Sequence, residues 1–560
     1  MDYNILIGGA AGQGMETLSS VLEKTLKRKG FEIFTIRDYM SRVRGGHNFI
    51  KIRFGESKKN SHRRVLSGII ALNDETISLH INDLDENGFI ICDESLNFED
   101  DRLLKLPLMS CAKKIGNTKV FGSVALGALF KLFNMDLSFS KGVLEDTFKP
   151  DAAAANFTAI EEGYKLVSTK YDSNYIKEEN GMLINGNDAI ALGVIASDCK
   201  FYSAYPMTPS TSIMNYLASK MEEAKIVVEQ AEDEISAINM AIGASYAGVR
   251  SMTGTSGGGF SLMVEALGLS GMMEIPLVIA DIQRPGPVTG LPTRTEQSDL
   301  KFVLSASHGE FPRMVIALRN PEDCFYQTIR AFNIADKYRI PVVLLGDQFL
   351  ADSTFTVNKF DLDRVEVNRY LNEDEYKNGR EYRSYELTET GISPRIIPGR
   401  IKGTRVLADS DEHDEYGRIT ESGEVRVAMT RKRFKKLDLL EEELLEPFYY
   451  GGEDIDVLLL GWGSLDGPIR EAVELLNKDS SRKYGALVFG DIWPLPTKLL
   501  EEKASKAKVL VNVEQNVTGQ LASIIMEVTG RRCNNSILKF DGRPLSGEEI
   551  YEKLKGEEEI

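Results

Sequence analysis

Three short stretches of the 560-residue sequence place ligand-binding or reactive side chains just after predicted strands. The first contains Tyr205, Pro206 and Thr208, the second contains Glu234, and the third contains Arg284. A planar guanidinium group suits a carboxylate, and open α/β sheets bind ligands at the carboxyl ends of their strands. The three stretches together predict a ligand site in which Arg284 is suited to a carboxylate.

The first stretch, YPMTPST at 205–211, also has a plainer explanation. Its two prolines fix the backbone and present the hydroxyl groups of Thr208, Ser210 and Thr211. However, Ser210 or Thr211 could simply cap the next helix, which is a common role for these residue types. Taken alone, the stretch favours capping.

The second stretch is an acidic helix start. Acidic residues at a helix N-terminus are usually dipole partners and helix caps, and we interpret Glu232 and Asp233 in that way. Glu234 adjoins the apolar stripe predicted for the inner face of the helix, which consists of Ile235, Ile238 and Ile242. We therefore expect Glu234 to face inward, where a carboxyl group needs a polar partner.

A glycine-rich turn at 253–260 (TGTSGGGF) lies between the second and third stretches. Its glycines leave room for a ring to lie against the backbone. Thr255, Ser256 and Gly257 are the candidate contacts in this turn. Each of these loops is weak evidence by itself.

Alternating strands and helices position these residues and predict an α/β fold. Strands are predicted at 4–8, 31–36, 49–54, 88–92, 200–204, 226–229, 277–281, 314–317, 341–345, 455–461, 485–489 and 508–513. The predicted domains are 1–175, 182–352 and 451–560, and 353–450 is predicted to be a charged, turn-rich connecting arm that runs exposed over the surface.

The N-terminal segment has its own glycine turn, G-x-x-G-x-G at 9–14, between a predicted strand and a predicted helix. Its order differs from the G-x-G-x-x-G dinucleotide fingerprint. Backbone N–H groups at a helix N-terminus bind anions, so Gly12 and Gly14 are candidate anion contacts; tight helix–strand packing is the alternative. The basic stretch RVRGGH at 42–47 includes Arg44, which either binds a phosphate or makes a domain contact.

Composition excludes several classes of protein. The net charge of −17 gives no basic excess for nucleic acid, and no apolar run approaches the length of a membrane helix. The N-terminus lacks the pattern of a secretory signal, so we expect a cytoplasmic protein. The five cysteines form no CxxC or other cluster, so the chain offers no iron–sulfur motif.

Four motifs in order, YPMTPST, QAEDEISAI, TGTSGGG and QRPGPVTGLPT, resemble the α subunit of 2-oxoacid:ferredoxin oxidoreductases over about 186–352. GGAAGQG with RVRGGH resembles the γ subunit of that family, fused in front. VEQN at 513–516 and GQL at 519–521 resemble its transketolase-C-like domain. One departure is Gly258, where the family pattern has proline.

The resemblance implies three doubly wound α/β domains: a γ-type Rossmann-like domain, a thiamine diphosphate pyrimidine-binding domain and a transketolase C-terminal-like domain. It implies oxidative decarboxylation of a 2-oxoacid to an acyl-CoA with reduction of ferredoxin. It assigns Glu234 to the aminopyrimidine ring of thiamine diphosphate, and Thr208 and Arg284 to the substrate. The implied cofactor contacts are Tyr205, Pro206, Glu234, Thr255, Ser256 and Gly257, and the implied contacts of coenzyme A or another anion are Gly12, Gly14 and Arg44.

The chain lacks the Gly-Asp-Gly stretch with which thiamine enzymes hold the diphosphate and Mg²⁺. The resemblance therefore implies a separate β subunit with Mg²⁺ and the iron–sulfur cluster, a dimer of αβ pairs, and an isolated chain that is inactive. The γ–α fusion looks most like 2-oxoglutarate enzymes or broad 2-oxoacid enzymes, and pyruvate stays open. The alternatives are a non-catalytic nucleotide-binding assembly subunit and, disfavoured by the missing motif, a self-sufficient thiamine enzyme.

Overall fold

The computed structural model describes residues 2–40, 46–171, 175, 177, 181–377 and 379–558. The chain forms two compact units. The first comprises Met1–Ile184, Asp352–Lys359 and Ser546–Glu548, and the second comprises Asn185–Ala351, Phe360–Leu545 and Glu549–Ile560. Within the described residues, no helix is both long and apolar enough to cross a membrane.

The first unit contains an eight-stranded mixed sheet. Its strands are β1 (Asp2–Ala10), β2 (Glu32–Asp38), β3 (His47–Gly55), β4 (Leu66–Ala71), β5 (Leu84–Asp93), β6 (Leu103–Leu106), β7 (Met182–Ile184) and β14 (Thr354–Val357). Its helices are α1 (Met15–Arg28), α2 (Asp74–His80), α3 (Leu108–Ile115), α4 (Phe121–Leu132), α5 (Leu137–Thr147) and α6 (Pro150–Tyr164). The spatial order is β6-β5-β4-β1-β3-β2-β14-β7, with parallel pairing from β6 to β1 and antiparallel pairing beyond it.

The apolar pattern of the N-terminal residues explains the start of this unit. Ile5, Leu6 and Ile7 of β1 are fully buried because the strand lies in the middle of the sheet. Leu18, Leu22 and Leu26 of α1 are also buried, since a spacing of four residues keeps them on one face of the helix. Burial of each such side chain contributes about 1.5–3 kcal/mol.

The second unit contains a seven-stranded sheet that carries the three stretches singled out in the sequence. Its strands are β8 (Cys199–Ala204), β9 (Val227–Gln230), β10 (Arg250–Thr255), β11 (Leu277–Gln283), β12 (Met314–Ala317), β13 (Pro341–Asp347) and β18 (Asp491–Trp493). Its helices are α7 (Gly186–Ala196), α8 (Thr211–Ser219), α9 (Met221–Ala224), α10 (Glu234–Tyr246), α11 (Gly257–Met272), α12 (Leu300–Ser305), α13 (Pro321–Tyr338) and α14 (Gln348–Asp352). The order is β18-β12-β13-β11-β10-β8-β9, and only the β18–β12 pairing is antiparallel.

The same unit contains a five-stranded sheet of order β15-β17-β16-β19-β20. Its strands are β15 (Phe448–Tyr450), β16 (Val457–Trp462), β17 (Tyr484–Phe489), β19 (Val509–Glu514) and β20 (Asn535–Leu538). The remaining helices of the chain are α15 (Glu373–Tyr376), α16 (Gly423–Leu440), α17 (Asp466–Asp479), α18 (Lys498–Lys506), α19 (Gln520–Thr529) and α20 (Gly547–Glu558). One apolar cluster joins the two sheets, with Ile279 and Val343 from the first and Leu458 and Leu487 from the second.

The predicted fold class is confirmed, because three sheets rich in parallel pairing carry helices between their strands. Every predicted strand corresponds to an observed one, with small shifts at the ends. The sequence analysis did not predict eight of the strands that the structure describes: β4, β6, β7, β10, β14, β15, β18 and β20. It placed 253–255 in a turn, whereas these residues complete β10. The four domain boundaries stay a prediction.

The segment 353–450 differs from the exposed connecting arm that we expected. It contributes β14 to the first sheet, and it contains the 18-residue helix α16. Tyr376, Tyr385 and His413 are buried within it. The prediction was wrong on this point because charged residues of the segment, such as Lys436, are buried through ion pairs that no local pattern reveals.

Candidate active site

Three neighbouring strands end at the site. β11, β10 and β8 lie side by side and run parallel, so their carboxyl ends meet at one edge of the sheet. The loop after β8 carries Tyr205 and Thr208, the loop after β11 carries Arg284, and the turn after β10 carries Ser256. The helix after β9 begins at Glu234.

The loops after β8 and β11 are joined directly. The guanidinium Nη1 of Arg284 donates a hydrogen bond of 2.8 Å to the backbone carbonyl oxygen of Thr208. Thr208 is exposed, Pro206 is half-buried, and Tyr205 is 40% exposed. Arg284 is half-buried, and burial lowers its pKa, against the opposing charge of Asp299. The structure therefore brings Thr208 and Arg284 together, as the sequence predicted.

Ser210 does not cap the helix with its side chain. Its hydroxyl donates a hydrogen bond of 2.8 Å to the carbonyl oxygen of Met207, which stiffens the loop itself. α8 has no side-chain cap at Ser210. The capping interpretation of this stretch is thus wrong for Ser210.

Glu234 is the first residue of α10 and is only 4% exposed. Asp233 caps the helix by accepting a 2.7 Å hydrogen bond from the backbone N–H of Ser236, which confirms its interpretation as a cap. Glu234 Oε1 is buried, and no described residue donates a hydrogen bond to it. An inward carboxyl was expected, but its partner is absent from the described part of the chain.

The predicted inner stripe of α10 is wrong at one residue. Ile238 and Ile242 are buried, but Ile235 is 51% exposed. Glu234 takes the inward position instead, because it lies four residues before Ile238 and therefore on the same face of the helix.

The turn after β10 lies against Glu234. A Cβ atom added at Gly259 would lie 2.6 Å from Glu234 Oε1 and would also clash with Thr255 Oγ1. Thr255 is fully buried, and its Oγ1 lies 3.8 Å from Met207 Sδ. Ser256 precedes α11, and its buried Oγ has no partner among the described residues. These contacts connect Glu234 to the loop that holds Thr208.

Two carboxyl groups that the sequence analysis did not select also lie at this edge. Asp281 of β11 pairs in register with Thr255 of β10 and is fully buried. The carboxylate of Asp299 packs against the backbone of Gly257. The charged residue in the mostly apolar strand sequence LVIADIQ was the available signal for Asp281.

The N-terminal anion candidates lie in the first unit. Gly12 and Gly14 adopt left-handed backbone conformations, with φ of 93° and 83°, and Gly14 is the N-cap residue of α1. Gln13 closes the turn, because its Oε1 accepts a 2.6 Å hydrogen bond from the backbone N–H of Ala10. Arg44 lies outside the described residues.

Comparison with known families gives two matches. A family described as pyruvate flavodoxin/ferredoxin oxidoreductase, thiamine diP-bdg, matches residues 192–432. A family described as pyruvate ferredoxin/flavodoxin oxidoreductase matches residues 4–166. The first match contains Thr208, Glu234 and Arg284, and the second contains Gly12 and Gly14.

Two similar proteins align with nearly the whole chain, and a third aligns with about two thirds of it. The 2-oxoacid:ferredoxin oxidoreductase subunit alpha of Sulfolobus sp is 31% identical, and the alignment covers 99% of this chain and 96% of that protein. The 2-oxoglutarate synthase subunit KorA of Methanothermobacter marburgensis is 32% identical over 67% of this chain and 98% of its own length. The solved structure of 2-oxoglutarate:ferredoxin oxidoreductase from Magnetococcus marinus, with 2-oxoglutarate, coenzyme A and succinyl-CoA bound, has a TM-score of 0.93, 31% identity and 99% coverage of both chains.

Proposed function

Because the chain belongs to the α subunits of the 2-oxoacid:ferredoxin oxidoreductases, we propose that it acts with a separate β subunit in the oxidative decarboxylation of a 2-oxoacid. The acceptor of the acyl group is coenzyme A, and the electrons reduce ferredoxin. The first candidate substrate is 2-oxoglutarate. The names of two similar proteins support this choice.

The unpartnered Oε1 of Glu234 is the observation that carries the proposal. A buried polar atom without a hydrogen bond costs about 1–3 kcal/mol, so such an atom at a strand-end site indicates a missing ligand. The glycine at 259 leaves the space in front of this carboxyl free of a side chain. A planar nitrogen ring fits that description, and the aminopyrimidine ring of thiamine diphosphate is such a ring.

Each residue then has a defined task. When bound, thiamine diphosphate supplies the carbon nucleophile that adds to the keto group of the substrate. Glu234 holds a proton at its carboxyl group for a ring nitrogen. Tyr205, Pro206, Thr255, Ser256 and Gly257 surround the ring.

The substrate is held on the other side of the site. Arg284 binds the carboxylate of the 2-oxoacid with the N–H groups that it does not donate to Thr208, and the hydroxyl of Thr208 orients the keto oxygen. Both groups sit on loops that follow strands of one rigid sheet, which suits precise orientation of a substrate.

The remaining parts of the reaction require a partner. The sequence has no Gly-Asp-Gly stretch and no cysteine cluster, so we assign Mg²⁺, the diphosphate contacts and the iron–sulfur cluster to the β subunit. A dimer of αβ pairs is the proposed assembly. Gly12, Gly14 and Arg44 are the proposed contacts of coenzyme A or another anion.

The test is to copurify the chain with its proposed β subunit and to assay a panel of 2-oxoacids with coenzyme A and a low-potential electron acceptor. We expect coenzyme A-dependent reduction of the acceptor, with 2-oxoglutarate as the best substrate and no activity of the isolated chain. Turnover by the isolated chain would contradict the need for a partner. A complex that forms but oxidises no 2-oxoacid would favour the non-catalytic assembly subunit instead.

A further inference from the structure

The second unit has an open cavity of about 420 Å³ that the proposed reaction does not use. The cavity lies between the C-terminal end of α13 and the segment 370–395, and it is not lined by Thr208, Glu234 or Arg284. Its volume falls within the range of small-molecule sites, about 300–1,000 Å³. The segment belongs to the region that the sequence predicted as an exposed arm, so this cavity has no counterpart in the sequence analysis.

Arginine side chains outnumber carboxylates at the inner wall of this cavity. Asp336 is 3% exposed and accepts hydrogen bonds of 2.8 Å from Arg250 Nε and 2.6 Å from Arg395 Nη1. Arg369 Nε donates a third hydrogen bond of 3.3 Å to the same carboxylate. Arginine stays charged in proteins, so three positive charges meet one negative charge at Asp336. Arg339 adds a fourth guanidinium group to the same wall.

The crowding of these cations affects Arg395. Burial is the main cause that lowers the pKa of Arg395, and the charge of Asp336 opposes it. The neighbouring charges of Arg339 and Arg369 lower this pKa further. Like charges held together at low solvent exposure attract a counter-ion, so an anion in the cavity would relieve the repulsion among the arginines.

Two of these arginines keep N–H groups for a ligand. Arg339 donates from Nε to the carbonyl oxygen of Glu274 at 3.0 Å and from Nη1 to that of Ser384 at 2.8 Å, and no described residue accepts from its Nη2. Arg395 donates from Nη1 and Nη2, and no described residue accepts from its Nε. Both residues are 7% exposed, yet neither of these two nitrogens is enclosed by protein atoms. A guanidinium group held in this way suits a carboxylate or a phosphate.

The mouth of the cavity carries charges of both signs. The side chain of Arg380 is 50% exposed and donates hydrogen bonds of 3.0 Å to Glu375 and 2.9 Å to Glu386. Lys337, which also lines the cavity, is paired with Glu443. The excess of positive charge therefore lies at the inner wall, and Arg380 offsets the two acids that an entering anion meets.

The backbone of the cavity wall adopts an unfavourable conformation at two residues. Arg339 ends α13 with φ of 54°, and Tyr370 has φ of 48°. A left-handed backbone is uncommon for side chains other than glycine, and such residues are concentrated at sites that bind ligands. Both residues line the cavity, so the strain and the available N–H groups occur at the same place.

We propose that this cavity binds a small polyanion, a molecule with two or more carboxylate or phosphate groups, through Arg339, Arg395 and Arg380. The site is additional to the proposed function and uses none of the residues assigned there to the cofactor or the substrate. The ligand neutralises the excess positive charge at the inner wall and connects the segment 370–395 to α13. Because it binds the folded chain, it also stabilises that chain against unfolding.

The experiment is isothermal titration calorimetry of the full chain with two probes, citrate and pyrophosphate, at an ionic strength held constant with sodium chloride. The chain carries Arg284→Gln, so that the proposed substrate site does not contribute to the binding of carboxylates. We expect at least one probe to bind with a Kd of about 1 mM or tighter and to raise the midpoint of thermal unfolding. Binding of citrate identifies a polycarboxylate ligand, and binding of pyrophosphate identifies a phosphate ligand.

Variants at the mouth locate the binding. Arg380→Gln leaves Glu375 and Glu386 without a cation, so Kd should rise at least about tenfold, the effect of losing a hydrogen bond to a charged group. Glu375→Gln removes one of these acids, so Kd should fall. Arg426→Gln is the matched control, because Arg426 is 55% exposed, is paired with Glu412 and does not line the cavity. Its Kd should equal that of the parent chain.

Arg395→Lys tests the inner wall, because it keeps a positive charge beside Asp336 but removes Nε, and Kd should rise about tenfold. The inference is overturned if neither probe binds, or if Arg380→Gln and Glu375→Gln both bind the probes as the parent chain does. These two exposed changes decide the question even if Arg395→Lys does not fold. No turnover is measured, so a failure of the proposed function would leave the result unchanged.

Discussion

Two buried glutamates of the second unit, Glu234 and Glu274, differ in their surroundings. Glu234 begins α10 and is 4% exposed, and Glu274 follows α11 and is 1% exposed. Lys432 donates a 2.5 Å hydrogen bond to Glu274 Oε1, and Lys436 donates one to Oε2. Glu234 Oε1 has no such donor among the residues that the structure describes.

The contrast separates Glu274, which stabilises the fold, from Glu234, which is available to bind a ligand. Burial by itself would raise the pKa of Glu274, but Lys432 and Lys436 outweigh it and hold this pKa well below its ordinary value. Glu274 is therefore a carboxylate that ties α16 to the end of α11. A buried polar group without a hydrogen-bond partner lowers the stability of the fold. Proteins keep such groups mainly at sites that bind a ligand, and Glu234 lies at such a site.

The largest expected effect is that of Glu234→Gln on activity. The amide cannot hold a transferable proton for the ring of the cofactor, and loss of a positioned acid–base group typically lowers the rate by 10²- to 10⁴-fold. We expect a fall of about that size in kcat of the complex, measured by reduction of a low-potential acceptor. The free energy of unfolding should change by less than about 1 kcal/mol, since no hydrogen bond to Oε1 is lost.

The exposed neighbour Glu232 provides the control, because Glu232→Gln changes the same functional group two residues away. Its kcat should equal that of the wild type. A Glu234→Gln complex with normal kcat would refute the assignment of Glu234 to the cofactor.

The next largest effect is that of Glu274→Gln on stability. This change leaves two buried ammonium groups without a carboxylate, and breaking a buried ion pair typically costs about 3–5 kcal/mol. We expect a loss of that size in the free energy of unfolding by denaturant, with kcat per folded complex unchanged. The two glutamates would then have opposite profiles, one affecting activity and the other stability.

The pH dependence of unfolding sharpens this test. Because the pKa of Glu274 is lowered in the folded chain from 4.5, its contribution is present above pH 4.5 and is lost as the pH falls through the folded value. Wild type should therefore lose more stability on acidification than Glu274→Gln does. Equal acid sensitivity of the two proteins would contradict the role of Glu274 as a paired carboxylate.

The sequence predicted many of the strands and the placement of Thr208, Glu234 and Arg284 at one edge of a sheet. Periodic apolar runs identified β8 and β11, and proline-rich loops after them identified Thr208 and Arg284, because both signals are local. Glu234 was found in the same way, from its place beside an apolar stripe. The family motifs then gave it a specific task.

Long-range pairing was not predictable in the same way. Nothing near Lys436 in the sequence shows that it meets Glu274, which is 162 residues away. Asp299 and Asp281 lie in separate segments, and only the fold brings them to the end of β10, where Asp281 pairs with Thr255 and Asp299 packs against Gly257. Buried charges depend on partners distant in sequence, so the segment 353–450 looked exposed when it contains buried ion pairs.

The smallest expected effect is that of Lys436→Met. Lys432, Lys436 and Arg339 bring three cationic side chains around the single carboxylate of Glu274, and burial lowers the pKa of Lys432 to about 7 and that of Lys436 to about 8. Removing one cation leaves the carboxylate paired with Lys432 and adds apolar volume, and such replacements are often neutral or stabilising.

We therefore expect Lys436→Met to change the free energy of unfolding by no more than about 1 kcal/mol, far less than Glu274→Gln. Lys435→Met is the control, because Lys435 is the exposed neighbour on the same helix. A loss as large as that of Glu274→Gln would mean that Glu274 needs both lysines. In that case, the difference between the two glutamates would depend on the full set of cations rather than on the presence of any one donor.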